Sequence, residues 1–196
     1  MQINLHQREL NIKIVYYGTS YSGKTTNLEQ IYARVDPNRR SDLVSLKTND
    51  DRTLYFDFLQ LELSKISGLT PKIHLYTVPG QSYYETSRRL VLNGVDGVVF
   101  VVDSASDRVI DNMNSWNDLQ DHLSFYGKSL DTVPIVVQFN KRDLPNALAI
   151  NDLSSTLKTD GYAACPAVAV NGQGVFDTFK VVVSDVINGI QREAVD

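Results

Sequence analysis

The sequence predicts an α/β fold. The expected form has three layers: a mostly parallel six-stranded sheet with one antiparallel edge strand, and helices on both faces. Three observations lead there. Val98 to Val102 and Ile135 to Phe139 are nearly continuous apolar runs, which suit central parallel strands buried on both faces. Segments with helical spacing separate the strand-like runs. Thr53 to Leu63 and Ile73 to Val78 flank Ser67-Gly68-Leu69-Thr70-Pro71, which reads as a hairpin of adjacent antiparallel strands.

Taken in order, Ile12-Lys13-Ile14-Val15-Tyr16-Tyr17 is a short β-rich run ending at Gly18. Leu28, Ile31, Tyr32 and Val35 recur at helical spacing before a polar loop at Pro37-Asn38-Arg39-Arg40. The hairpin follows. Between the two central strands, Val109, Met113, Trp116, Leu119 and Leu123 mark one face of a helix. A short strand near Ala167 to Val170 precedes a long helix through Val175, Phe179, Val182, Val183, Val186 and Ile190. The order is β-α-β-β-(α)-β-α-β-α-β-α, and ligands on such sheets sit at the carboxyl ends of the strands.

The 196 residues fit one domain, 1–196, and no repeat or linker-like tract divides them. A net charge of −4 and a pI near 5.3 argue against a nucleic-acid or anionic-membrane binder. The single cysteine, Cys165, excludes an intramolecular disulfide and suits a reducing cytoplasm. No run approaches the roughly 18 apolar residues that span a bilayer. Neither a secretory signal nor a lipid-anchor motif is expected.

Gly18-Thr19-Ser20-Tyr21-Ser22-Gly23-Lys24-Thr25, continuing into Thr26, matches G-x-x-x-x-G-K-[ST]. Each fixed position has a reason. The glycines let the backbone wrap closely, so that successive N–H groups, including those of Ser20, Tyr21 and Ser22, point at phosphate oxygens. Lys24 supplies a mobile cation for β/γ oxygens, and the Thr25 hydroxyl can ligate Mg²⁺. The helix beginning here turns its positive end to the same anion. A chance match has odds under about one in a hundred.

Asn140-Lys141-Arg142-Asp143 follows a buried strand and matches N-K-x-D. A carboxylate at Asp143 can accept both N1–H and N2–H₂ of guanine, and adenine offers no such pair. Asn140 is expected to brace the loop and the base edge, and the Lys141 stem to cover the ring face. Val168-Ala169-Val170 could offer a backbone N–H to guanine O6, although any buried strand looks the same.

With these loops in this order, the chain resembles a Ras-superfamily GTPase, a P-loop NTPase with a Ras-like G domain. Thr77-Val78-Pro79-Gly80-Gln81 narrows the resemblance to the bacterial polarity and gliding-motility GTPases of the MglA type. Asp51-Arg52-Thr53-Leu54, His74-Leu75-Tyr76 and Gly94-Val95-Asp96-Gly97 are also similar to that family. The resemblance implies GTP/GDP and Mg²⁺ as ligands and GTP hydrolysis as the activity. It also implies an MglB-like, Roadblock-fold activating partner, with effectors that bind the switch regions. Localisation is then cytoplasmic, with recruitment to cell poles or membrane left to partners.

The resemblance implies further roles. Gly80 would meet the γ-phosphate, Gln81 would orient the attacking water, and Lys24 would act on the transferring group. Arg52 would be an arginine finger in cis, and Thr53 would cover Mg²⁺ and the γ-phosphate, with Thr48 as its rival. Thr77 stands where the usual Asp supports a magnesium-bound water. Either Mg²⁺ relies on other groups, or Asp103 contributes. Tyr83-Tyr84 and Arg88-Arg89 suit a partner surface, or else the faces of a short helix. His6, His74 and His122 are too scattered for a metal site. Two rival functions stay open: an ATP-dependent P-loop enzyme, and a nucleotide-locked scaffold without useful hydrolysis.

Overall fold

The computed structural model describes residues 2–4, 6–47, 53–66, 68–80 and 84–193. Its strands are β1 (Gln2–Asn4), β2 (Glu9–Tyr17), β3 (Val44–Lys47), β4 (Thr53–Glu62), β5 (Thr70–Thr77), β6 (Gly97–Asp103), β7 (Ile135–Asn140) and β8 (Ala163–Pro166). Five helices accompany them: α1 (Lys24–Arg34), α2 (Glu85–Leu92), α3 (Val109–Phe125), α4 (Ile150–Leu157) and α5 (Val175–Glu193).

The strands form one sheet in the order β3-β4-β5-β2-β6-β7-β8, with β1 pairing antiparallel to β2. From β5 to β8 all pairings are parallel. The expected α/β architecture stands, with two strands more than the six expected. Strand β1 is only three residues long, and β3 is a four-residue strand without an apolar run, so neither announces itself by periodicity. The antiparallel part is also wider than a single edge strand, because β4 pairs with both β5 and β3.

Alternation along the strands builds two cores. Ile12, Ile14 and Tyr16 of β2, Leu59 and Leu61 of β4, Ile73 and Leu75 of β5, and Val99 and Val101 of β6 face α1 and α5. Val15, Tyr17, Val98, Phe100, Val102, Val137 and Phe139 face α2, α3 and α4. Strands β6 and β7 are buried throughout, as their continuous apolar runs require. Trp116 is helix packing: its ring meets Phe100 edge-on at 4.8 Å and Tyr162 at 5.5 Å.

The last strand lies earlier than expected. Ala163–Pro166 pairs with β7, whereas Val168 forms only an isolated bridge and Ala169–Asn171 is a turn of 3₁₀ helix. The apolar Ala167–Val170 run misled because it packs as a turn, while the true strand is mostly exposed.

Candidate functional site

The chain leaves β2 at Tyr17 and turns through Gly18 (φ 145°) and Gly23 (φ 102°) into α1. Both glycines are required. A Cβ on Gly18 would lie 2.4 Å from the Val101 carbonyl oxygen, and one on Gly23 would lie 2.2 Å from Asn140 Nδ2. Between them Tyr21 sits at φ 60°, left-handed and 57% exposed, at a local cost of about 1–2 kcal/mol. Lys141, in the second loop, is left-handed as well, at φ 62°. Both loops follow the carboxyl ends of strands.

Lys24 is buried, and its Nζ donates to the loop's own carbonyls, Gly18 O at 2.9 Å and Thr19 O at 2.7 Å. Burial holds its pKa down to about 7; Asp57 opposes that shift, and Arg88 and Arg108 add to it. Gly80 lies directly on the loop, since a Cβ there would be 2.5 Å from Ser20 N. Ser22 is buried, and its Oγ has no hydrogen-bond partner among the described residues. Thr26, in the first turn of α1, is partly buried.

Asn140 joins the two loops. Its Nδ2 donates to Ser22 O at 2.7 Å, and its Oδ1 accepts from the Ala169 N–H at 2.9 Å. Each end of the amide bonds to protein, so Asn140 braces the two loops. Lys141 Nζ donates to Asp103 Oδ2 at 2.6 Å. Asp143 is exposed and makes no hydrogen bond among the described residues. The Val168 N–H is taken by Gln173 O at 3.0 Å. Of the three residues Val168, Ala169 and Val170, only Val170 has an N–H without a described partner.

A buried carboxylate stands where the sequence reading placed none. Asp57, fully buried on β4, shares the face of Leu59 and Leu61 that packs on α1. The pairing of Phe58 with Tyr76 brings it level with Thr77 on β5. Asp57 Oδ2 accepts from Thr25 Oγ1 at 2.5 Å and from Thr77 Oγ1 at 2.7 Å; Oδ1 accepts from Ser45 Oγ on β3. Thr77 Oγ1 in turn accepts from the Asp57 N–H at 2.9 Å. The carboxylate beside the Thr25 hydroxyl therefore comes from the neighbouring antiparallel strand and not from position 77. Asp103 is engaged at the other loop, by Lys141 and the Ala105 N–H.

Comparison with known proteins accords with this geometry. The model of the ADP-ribosylation factor (Arf) family matches residues 1–186. "Mutual gliding-motility protein MglA" of Myxococcus xanthus (strain DK1622) is 47% identical over 190 residues, 97% of either chain. The chain belongs to the Arf family of small GTPases, on the MglA-like branch. More distant relatives are ADP-ribosylation factor-like protein 6 of Caenorhabditis elegans and ADP-ribosylation factor-like protein 2 of Drosophila melanogaster. The first is 30% identical over 81% of this chain and 74% of its own length. The second is 27% identical over 95% and 93%. The protein is a GTP hydrolase that binds guanine nucleotide.

Several expected site residues of the GTPase, Arg52, Gln81, Tyr83 and the rival Thr48, lie outside the described residues. Thr53 begins β4. Arg88 is not a partner surface: it is buried, with Nη1 2.8 Å from Asp118 Oδ2 on α3. Arg89 instead stacks its guanidinium over Phe125 at 4.5 Å. Cys165 is a buried residue with its pKa raised by burial, as expected for packing rather than reactivity. Among the described residues no His/Cys/Asp/Glu cluster could hold a metal by itself, and no helix is long and apolar enough to cross a membrane.

The residues missed in the sequence were Asp57, Asn27 and Arg108. Asp57 had a signal, a charge between Phe56 and Phe58 inside a strand. Asn27 Nδ2 donates to Gly23 O at 2.9 Å and to Gln138 Oε1 at 2.8 Å. Gln138 returns a bond to Asn27 Oδ1 at 2.8 Å and reaches Thr178 Oγ1 on α5 at 3.0 Å. This buried chain ties the start of α1 to the centre of the sheet, and polar residues at helical or strand spacing do not reveal such a pairing.

Proposed function

We propose that the protein is a GTP-dependent switch whose phosphate loop, Gly18 to Thr26, holds GTP or GDP while Asp143 selects guanine. The observation that carries the reading is Lys24: a buried amine, its pKa depressed, whose hydrogen bonds among the described residues go to its own loop's carbonyls. A polyphosphate there would satisfy it. Thr25, backed by Asp57 and Thr77, is the group suited to a hard oxygen-seeking cation, and Thr53 would be its counterpart from β4. Mg²⁺ held there would neutralise charge on the phosphate oxygens. Val170 N–H is the base-edge donor, and Ala169 and Val168 shape its turn.

Gly80 would offer its N–H to the terminal phosphate, Gln81 would orient the water, and Arg52 would stabilise the transferring phosphoryl. Arg52→Ala is expected to leave GTP affinity within a few-fold while cutting partner-stimulated turnover by about 10³-fold or more. Single-turnover phosphate release with the activating protein present measures this, and unchanged rates would exclude the role. The switch would act in cell polarity or motility, with a Roadblock-fold activator and recruitment to the poles by partners; the printed name of the relative from Myxococcus xanthus, a mutual gliding-motility protein, supports the motility part of this reading. Titration with GTP, GDP and ATP tests the core reading: tight guanine uptake is expected, and equal uptake of ATP would sink it. Phosphate release without and with the activator separates a switch from a nucleotide-locked scaffold.

Lys24 makes binding pH-dependent. In the nucleotide-free protein its pKa is about 7; an adjacent polyphosphate raises it toward the ordinary lysine range. Between those limits the free protein is mostly neutral at Lys24 and the complex charged, so binding takes up a proton. Affinity therefore falls as pH rises from about 7 toward 10. Calorimetry near pH 8.5 in buffers of different ionisation enthalpy should show net proton uptake, absent in Lys24→Met. Folding has the opposite sign, because burying Lys24 releases a proton where binding takes one up. The depressed pKa gives the nucleotide-free protein stability that is present at high pH and lost as pH falls toward 7.

A further inference from the structure

Arg108 belongs to neither motif, yet its guanidinium rests on the phosphate loop. It ends the short 3₁₀ helix Ser106–Arg108 between β6 and α3. Nη2 donates to Ser20 O at 2.9 Å and to Thr19 Oγ1 at 3.4 Å. Nε faces Asp103 Oδ2 at 3.7 Å, and Nη1 pairs with Asp111 of α3. The guanidinium is therefore flanked by a carboxylate on each side, with Nη2 directed at the loop, chiefly at the Ser20 carbonyl. Asp103 also holds Lys141 of the base loop, so an ion-pair chain runs from Ser20 to Lys141.

That carbonyl occupies a particular place. Ser20 C=O and Tyr21 N–H belong to one flat trans peptide and point in opposite directions. Tyr21 is the residue forced into the left-handed region, where Cβ crowds the following carbonyl. Rotation of the Ser20–Tyr21 peptide would change that geometry and turn the N–H around. We propose that Arg108 is a positioning residue that locks this peptide so that the Tyr21 N–H faces the bound phosphates, and thereby sets how long nucleotide stays bound. The proposal rests on the phosphate-loop reading above. The same device recurs along the loop: Asn140 grips Ser22 O and Asn27 grips Gly23 O. Three side chains from three elements each hold an outward carbonyl, and Arg108 alone among them does so with a charge.

The test is dissociation of a fluorescently labelled GDP from the full chain. Arg108→Ala is expected to speed release by about tenfold or more, the loss of one charge-assisted hydrogen bond. Arg108→Lys keeps the charge but loses the planar fork, so its release rate should fall between those of the parent and Arg108→Ala. In a Tyr21→Gly background the left-handed position costs nothing, so the Arg108→Ala effect should shrink by at least half on a logarithmic scale. An arginine that merely anchors α3 through Asp111 would give the same effect in both backgrounds, which would overturn the proposal. Release from Arg108→Ala within about twofold of the parent would also overturn it. If Arg108→Ala lowers the thermal midpoint, the Tyr21→Gly background decides: a smaller effect there supports the lock, and an equal effect overturns it. A parent that takes up no labelled GDP would instead refute the nucleotide site itself.

Discussion

Replacing Asp57 by asparagine is expected to reduce GTP turnover by about 10–100-fold and to move the magnesium requirement to higher concentration, the range typical of groups that support a metal ligand. The cause is electrostatic. Asp57 is a fully buried carboxylate on which the hydroxyls of Thr25, Thr77 and Ser45 converge. Asparagine keeps the shape and one acceptor oxygen but removes the charge, so the Thr25 hydroxyl loses its anionic backing. Alanine would be harsher and less informative, because it leaves three hydroxyl groups with no acceptor and a cavity between β4 and α1. A purely structural loss would not respond to magnesium. A half-saturating magnesium concentration identical to the parent's would therefore count against Asp57. The exchange Asp57→Thr with Thr77→Asp moves the carboxylate across one strand pair and should recover part of the activity. The two positions share a face and sit level in the β4–β5 register.

Asp143→Asn should turn the protein from guanine toward xanthine nucleotides. Asp143 is exposed and makes no hydrogen bond among the described residues, so the substitution disturbs little else. Two hydrogen bonds to a charged acceptor are at stake, each worth about 1.5–3 kcal/mol. Their loss corresponds to roughly 10²- to 10⁴-fold weaker GTP binding at about 1.4 kcal/mol per decade. An asparagine amide presents one donor and one acceptor, which matches the altered edge of xanthine. Competition of XTP against labelled GDP measures the switch. GTP affinity within about threefold of the parent would show that Asp143 does not read the base.

The loops were legible because their function is local. A phosphate cradle needs consecutive backbone N–H groups, so its glycines and Lys24 sit within eight residues and read directly from the chain. The central strands were equally plain, since burial on both faces leaves no polar position in Val98 to Val102. The short strands β1 and β3 carried too few residues for a period, and β8 was overshadowed by the more apolar turn that follows it.

By itself, then, the sequence determined the α/β class and located the two loops proposed to hold phosphate and base, at the ends of β2 and β7. Only the tertiary structure decided which side chains stand behind those loops. Asp57 reaches Thr25 because antiparallel register sets it beside Thr77 on the α1 face. Arg108 reaches Ser20 across 88 residues of chain, and Asn27 meets Gln138 across 111. The reason is physical. A backbone that binds its ligand directly writes its requirement into adjacent residues, whereas a supporting carboxylate, amide or guanidinium is chosen by distance in space, which strand register and helix packing alone establish.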